Sequence, residues 1–202
     1  MLSSVKAYVF DLGNVIVDIH IDRFLPTLGL DGVLSENEAL QKYQQSGINS
    51  EFELGKIPFD DFHRKSCDLL GTVLNKDLFL KAWNEMIGNE KPGMAEIISA
   101  CSGKAPVYLL SNTNDPHYHA ALKKAPSLKF MKDHFLSYKL NLLKPDPQIY
   151  IEMLHRIGLS ARDVFFTDDL EENIASAKEV GLHTLQFESP EQLKQYLFNV
   201  TG

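Results

Sequence analysis

The chain has 202 residues, 44% of them hydrophobic and 23% charged, which is one globular unit with enough apolar material for a core and room for an inserted subdomain. Its formal net charge is -7, and its 20 lysines and arginines are scattered instead of forming runs, which argues against nucleic acid or an anionic membrane as a partner. A small anionic substrate would therefore need a local positive site.

One lysine precedes the first apolar stretch, and Asp11 and Asp18 interrupt that stretch far short of the about 20 residues that a membrane span needs. Cys67 and Cys101 are the only cysteines and form no Cys-x-x-Cys pair, so there is no zinc signature, and a reducing, cytoplasmic setting with two buried thiols is expected.

The first expected strand covers 5–10, short and apolar. No further convincing strand arrives before 107. The stretch from 19 to 93 reads as helices at 36–45, 59–70 and 76–87, each with apolar residues at helical spacing, punctuated by Gly71, Gly88 and Pro92-Gly93. Strands are then expected at 107–110, 164–166 and 184–187, with amphipathic helices at 115–124, 147–157 and 170–180 between them. This β-α-β-α order predicts an α/β fold: a Rossmann-like parallel sheet with helices on both faces. Residues 1–18 and 93–202 would form this core and residues 19–92 an inserted α-helical cap above the carboxyl ends of the strands, where ligands of such sheets bind.

Four short motifs carry polar groups to those ends. Tyr8-Val9-Phe10-Asp11-Leu12-Gly13-Asn14-Val15 delivers a carboxylate from a buried strand and follows it with a glycine that permits a sharp turn. Val107-Tyr108-Leu109-Leu110-Ser111-Asn112-Thr113-Asn114 delivers a hydroxyl and an amide, although Ser and Asn are also ordinary turn and helix-cap residues. In Lys144-Pro145-Asp146-Pro147, Asp146 suits a helix N-cap and Pro147 the first helical position, which fixes Lys144 in the loop before the helix. Val164-Phe165-Phe166-Thr167-Asp168-Asp169 ends a strand on two adjacent carboxylates. A helix N-terminus accounts for part of that acidity, but paired carboxylates there also invite a cation.

Asp, then Ser, then Lys, then Asp-Asp, in this chain order, resembles the haloacid dehalogenase superfamily of phosphohydrolases over essentially the whole chain. Asp11-Leu12-Gly13-Asn14-Val15 with Ser111-Asn112-Thr113-Asn114 is most similar to the branch with a helical cap after the first strand, which includes bacterial sugar-phosphate phosphatases. The resemblance implies a Mg²⁺-dependent phosphatase acting on a small phosphorylated metabolite. Asp11 would be the nucleophile that forms an aspartyl-phosphate. Asp11, Asp169 and the Gly13 carbonyl would hold Mg²⁺, with Asp168 as a further ligand and Asn173 orienting one of its waters. Ser111, Asn112 and Lys144 would bind the phosphoryl group and stabilise charge on it.

One position departs from the superfamily pattern. Most of its phosphatases carry a second Asp two residues after the nucleophile, which protonates the leaving group, and here that residue is Gly13. The departure keeps a 2-haloacid dehalogenase and a catalytically silent relative open as alternatives, although Asp168 and Asp169 together favour phosphate chemistry. It also sets an expectation of preference for easily departing groups, such as a sugar phosphorylated at its anomeric carbon, unless another group such as His117 supplies the proton. Arg23, Glu53, Gly55, His20, His117 and His119 are the candidates for substrate contacts from the cap and the loops.

Overall fold

The computed structural model describes residues 5–30 and 32–198. The chain opens with strand β1 (Ala7–Phe10), all four residues buried, and turns into a short strand β2 (Val17–Ile19). Five helices follow: α1 (Phe24–Leu28), α2 (Glu36–Ser46), α3 (Ile48–Glu53), α4 (Phe59–Leu70) and α5 (Lys76–Glu85). Strand β3 (Ile87–Glu90) returns antiparallel to β2. The remainder runs α6 (Met94–Ser102), β4 (Val107–Ser111), α7 (Asp115–Lys124), β5 (Asp133–Leu136), α8 (Ser137–Leu140), α9 (Pro147–Ile157), β6 (Val164–Asp168), α10 (Glu171–Val180), β7 (His183–Gln186) and α11 (Pro190–Phe198).

Five strands form one sheet in the order β5-β4-β1-β6-β7, all pairs parallel, as the alternation of strands and helices predicts. Alternate residues of each strand face opposite sides of the sheet. Tyr8, Phe10, Leu109 and Phe165 join Ile97, Ile98 and Leu193 on one side. Ala7, Val9, Leu110 and Phe166 join Ile149, Met153 and Ala177 on the other. Burial on both faces is why these strands read as continuous apolar runs instead of alternating ones.

The sequence expectation of a helix over 76–87 is corrected at its end. The helix stops at Glu85, and Ile87 pairs with Ile19 in the two-stranded ribbon that leads into and out of the helical insertion. Gly88 permits that pairing: a Cβ there would lie 2.8 Å from the Asp18 carbonyl oxygen. Strand β5 was not expected, because it begins with Asp133 and His134 at the sheet edge, where no second neighbour demands apolar residues. Of the two thiols expected inside, Cys101 is buried, whereas Cys67 is partly exposed. No helix among the described residues is long and apolar enough to cross a membrane.

The insertion has its own core. Phe24, Tyr43, Phe52, Phe62, Phe79 and Trp83 are buried together, with Phe52 and Phe62 stacked at 4.3 Å between ring centroids. Such rings bury large areas and prefer these stacked and edge-on contacts. Local signals set the helix starts: Ser35 and Glu38 form a reciprocal capping box on α2, and the Asn75 side chain caps α5.

A buried polar cluster joins the insertion to the sheet. The Asn114 side-chain oxygen accepts from the His117 backbone N–H at 3.1 Å, capping α7, and from the Trp83 indole N–H at 3.2 Å. The His117 ring stacks on Trp83 with centroids 4.7 Å apart, and its Nε2 lies 2.8 Å from the Trp83 carbonyl oxygen. A carbonyl only accepts, so Nε2 carries the proton and Nδ1 accepts from the Asn114 amide at 3.3 Å. Burial pushes the His117 imidazole down to about 4. Its folded value therefore lies below the ordinary value of about 6.5. The unfolded chain takes up the proton first as the pH falls, so the stabilising contribution is complete above about 6.5 and is lost between there and about 4. We expect the urea midpoint of His117→Gln to fall less steeply between pH 6.5 and 5 than that of the parent, by the uptake of about one proton. Equal slopes would show that His117 is charged in the fold.

Candidate active site

The sheet register brings the motifs together. Phe10 pairs with Leu109 on one side and with Thr167 on the other, so Asp11 leaves β1 level with Asp168 on β6, and Ser111 ends the neighbouring β4. Parallel strands place these ends on one edge. The Asp146 side chain accepts from the Gln148 N–H at 2.9 Å, capping α9 with Pro147 in the first turn, as the sequence predicts.

Lys144 is the centre of the arrangement. Its side chain is 1% exposed, and its ammonium lies 2.6 Å from Asp11 Oδ1 and 2.5 Å from Asp168 Oδ2. Burial works against this charge, but the two carboxylates outweigh it and hold the ammonium above its ordinary pKa. Burial raises the Asp11 carboxyl to about 7 against the pull of Lys144, with Asp168 adding to the rise. The Asp169 carboxyl is also raised, first by burial. A divalent cation would reverse both rises by favouring the ionised forms.

Oxygens of Asp11, Asp168 and Asp169 lie within 4.8 Å of one another. Asp168, however, is heavily engaged by protein: Oδ1 accepts from the Leu170 N–H and the Asn173 side-chain amide, both at 2.9 Å, and Oδ2 accepts from Lys144. Asp169 Oδ2 accepts a side-chain hydrogen bond from Asn14 alone among the described residues, at 3.2 Å. Since Asn173 donates its amide to a carboxylate, its oxygen faces elsewhere. That oxygen is buried without a partner among the described residues. Clustered oxygens with an orphan acceptor beside them suit a hydrated hard cation, which takes oxygen ligands and keeps several waters.

Among the described residues Ser111 Oγ makes only a long 3.4 Å contact with the Asn112 carbonyl, and Ser111 lines a cavity of about 270 Å³ with Asp11, Gly13, Asn112, Lys144 and Asp169. Asn112, which lines the same cavity, also has a structural role. Its amide donates to the Lys144 carbonyl and accepts from the Lys144 N–H, both at 2.8 Å, so the side chain holds the lysine loop in place. Gly13 lines the cavity, and a Cβ there would meet Ile19 Cγ1 at 3.2 Å, so an apolar side chain crowds the position of the usual second carboxylate.

Among the cap and loop candidates, Glu53 and His117 line the cavity, whereas Arg23 and His20 do not. Gly55 abuts α8, where a Cβ would lie 2.3 Å from the Tyr138 carbonyl oxygen, and His119 is exposed beside Asp115. His117 faces the cavity with both ring nitrogens engaged, so it does not supply the missing acid. Two contributors escaped the sequence reading. Asn14, at φ 55°, bonds the Ile19 N–H and Asp169, tying the first motif to the fourth. Its left-handed backbone is one that Asn adopts more readily than most residues, which was a usable signal. Ser137 Oγ accepts from the Thr113 N–H and donates to the Glu53 carbonyl, and no local pattern marks it.

Comparison with known proteins agrees with this geometry. The family model for haloacid dehalogenase-like hydrolases matches residues 5–181. A D-ribitol-5-phosphate phosphatase of Bacteroides thetaiotaomicron is 32% identical over 201 residues, covering 96% of this chain and 97% of that protein. An (S)-2-haloacid dehalogenase of Burkholderia cepacia is 25% identical, covering 98% of this chain and 89% of that one. The crystal structure of a HAD family enzyme from Bacteroides thetaiotaomicron, in complex with magnesium and inorganic phosphate, superposes with a TM-score of 0.83 at 27% identity, over 96% of this chain and 99% of that one. With the ordered carboxylates at the ends of β1 and β6 and the buried lysine of the loop before α9, the family match over most of the chain identifies it as a member of the haloacid dehalogenase-like hydrolases.

Proposed function

We propose that this chain is a magnesium-dependent phosphatase that takes the phosphoryl group from a small phosphorylated metabolite through an aspartyl-phosphate on Asp11. The observation that carries the reading is the meeting of Asp11, Asp168 and Asp169 around a buried lysine at one sheet edge. Asp11, Asp169 and the Gly13 carbonyl would hold Mg²⁺, while Asp168 serves chiefly to fix Lys144 and the loop before α10. When bound, the ion neutralises charge between nucleophile and phosphate and stabilises the equatorial oxygens.

Asp11 Oδ attacks phosphorus, the bond to the leaving oxygen breaks, and the aspartyl-phosphate is then hydrolysed by water, which splits one difficult step into two. Lys144 places a fixed positive charge beside the nucleophile, where phosphoryl oxygens gain charge, and Ser111 Oγ donates to one of them. The carboxylate pair of β6 distinguishes this reading from carbon–halogen hydrolysis, for which the Burkholderia relative stands. Similarity to the D-ribitol-5-phosphate phosphatase supports a phosphorylated polyol or sugar as the substrate class. Such a 5-phosphate is a primary alkyl ester, the type that Gly13 by itself disfavours. The about 270 Å³ cavity suits a molecule of that size.

Asp11→Asn keeps the shape but removes both nucleophile and anionic ligand, and it should abolish phosphate release while circular dichroism stays unchanged. More than a few per cent residual activity, after deamidation is excluded, would take Asp11 out of its role.

Chelation should stop turnover and Mg²⁺ restore it, whereas Ca²⁺, larger and looser in coordination, should inhibit. Full activity in chelator, with halide released from 2-chloropropionate, would move the chain to the dehalogenase class. Asp169→Ala should raise the Mg²⁺ concentration for half-activity at least about tenfold, in line with the loss of an anionic ligand worth about 1.4 kcal/mol or more. An unchanged titration would place the ion elsewhere.

Lys144→Ala should lower kcat by about 10²-fold or more with a smaller change in KM, because the charge acts most strongly as the transition state forms. Lys144→Arg should also be poor, since a planar guanidinium does not fit between two carboxylates set for an ammonium. A change in KM alone would limit Lys144 to substrate binding.

A further inference from the structure

We propose that Glu53, on the inserted helical layer, is the proton donor to the leaving group and the base in the second step, in place of the carboxylic acid that Gly13 lacks. The inference rests on the phosphatase reading above.

Geometry singles out Glu53. It ends α3 and lines the cavity that holds Asp11, Ser111, Lys144 and Asp169. In-line displacement puts the leaving oxygen opposite the attacking one. Asp11 attacks from the sheet edge, so the leaving oxygen departs towards the wall that the insertion supplies. Glu53 is the carboxylic acid that the insertion contributes to that wall. Its other members there are Ile19, Ile21, Asn49, Trp83, Met86 and Ile87, none of which can give up a proton near neutral pH.

Its position is fixed by the core. Ser137 Oγ donates to the Glu53 carbonyl at 2.7 Å, and the Asn141 side chain donates to the Leu54 carbonyl at 2.7 Å. The backbone of the following turn packs so closely on Tyr138 that only glycine fits at position 55, where φ is 67°. Ser137 also accepts from the Thr113 N–H at 2.9 Å, two residues beyond Ser111, so one hydroxyl registers the helical layer against the phosphate-binding loop. A helical insertion free to swing would not need this clamp. A proton donor, which must lie within hydrogen-bond reach of a reacting oxygen, does.

The Glu53 carboxylate is itself free, with no side-chain hydrogen bond or ion pair among the described residues. Burial raises its pKa to about 7, with Lys144 pulling the other way. Nearby charges on the packed elements are spoken for: Lys65 of α4 pairs with Glu51, the Tyr138 hydroxyl of α8 bonds Asp115, and Lys144 is held by Asp11 and Asp168. A carboxyl with such affinity for protons can hold one at neutral pH and release it to an alkoxide.

The proton balance closes. As Asp11 Oδ bonds to phosphorus, the phosphorus–oxygen bond to the leaving group breaks, and that oxygen takes the Glu53 proton to depart as an alcohol. The resulting Glu53 carboxylate then takes a proton from the water attacking the aspartyl-phosphate. The bond between phosphorus and Asp11 breaks, inorganic phosphate leaves, and both carboxyl groups return to their starting states.

The test is Glu53→Gln, which keeps the shape and cannot donate a proton to the leaving oxygen, measured in Mg²⁺ with 4-nitrophenyl phosphate, phenyl phosphate and D-ribitol 5-phosphate. Release of the alcohol in a single turnover reads the first displacement alone. The parent should depend weakly on leaving-group pKa. In the variant, 4-nitrophenol release should change less than about threefold, whereas ribitol release should fall by about 10²–10⁴-fold. Steady-state turnover of the aryl ester should then show a burst, because the second step has lost its base. Retained 4-nitrophenol release also shows that the variant is folded. Equal losses on all three substrates would make Glu53 a binding group and overturn the proposal, as would an unchanged variant or a steep dependence already present in the parent. If the parent releases no phosphate from any of the three, or Asp11→Asn still does, the phosphatase reading fails and takes this proposal with it.

Discussion

The buried ammonium of Lys144 between Asp11 and Asp168 is the interaction around which the molecule is arranged. A lone charge at that depth would be costly, and so would either carboxylate without its partner. The surrounding structure therefore holds the three groups in place from several directions. Asn112 clamps both backbone groups of Lys144, Asp146 and Pro147 start the helix behind it, and Leu170 and Asn173 hold the remaining oxygen of Asp168. An arrangement this satisfied loses little reorganisation energy when a phosphoryl group arrives, which is how preorganised electrostatics accelerates a reaction. It also answers the charge problem of an acidic protein with an anionic substrate: the net charge is -7, and the positive charge that matters is placed at one point.

The helical layer is tied to this centre by polar contacts instead of by a continuous apolar core. Its aromatic cluster is separate from the two clusters that cover the sheet. The links are the Trp83–Asn114–His117 network on one side and the Ser137 and Asn141 bonds to the end of α3 on the other. Both begin just beyond the carboxyl ends of strands, so the sheet edge that carries the polar groups of the cavity also positions the layer above it. The short β2–β3 ribbon joins them covalently, and Gly88 lets its strands come close enough to pair.

Substitution of Gly13 for an acid moves the question of proton transfer from the first motif to the opposite wall. Ile19 crowds the vacated position, which makes that side apolar, and of the cavity's other carboxylates Asp11 pairs with Lys144 and Asp169 accepts from Asn14. Proton chemistry and metal chemistry are thereby separated in space: burial raises the carboxyls on both sides, but those of the sheet edge face Lys144 and the oxygen cluster where a cation would favour their ionised forms, whereas the carboxyl of the helical layer lies across the cavity from that cluster. Pairs of carboxyl groups given different work by different surroundings are a recurring solution in hydrolases.

Local sequence determined the parallel sheet, the run of helices after the first strand and most of the polar groups that meet in the cavity. Buried strands must be apolar runs, helices must repeat at their own period, and a polar residue directly after such a run has to emerge at the strand end. Asp11, Ser111 and the Asp168-Asp169 pair were legible for that reason, and Lys144 from the Asp146-Pro147 start of the helix behind it. Their division of labour was not. Whether Asp168 faces a cation or a lysine, whether the Asn112 amide holds a substrate or a backbone, and whether His117 has a free nitrogen depend on partners 24 to 34 residues away in the chain. The edge strand β5 and the end of α5 were missed because exposure and pairing with a distant strand overrode the local pattern. The place of Glu53 followed only from the tertiary structure, since nothing in its neighbourhood separates a surface glutamate on a short helix from a carboxyl that lines the cavity of Asp11. Hydrogen bonds from Ser137 to Glu53 and from Asn141 to Leu54, pairs separated by 84 and 87 residues respectively, make that difference, and only folding brings them there.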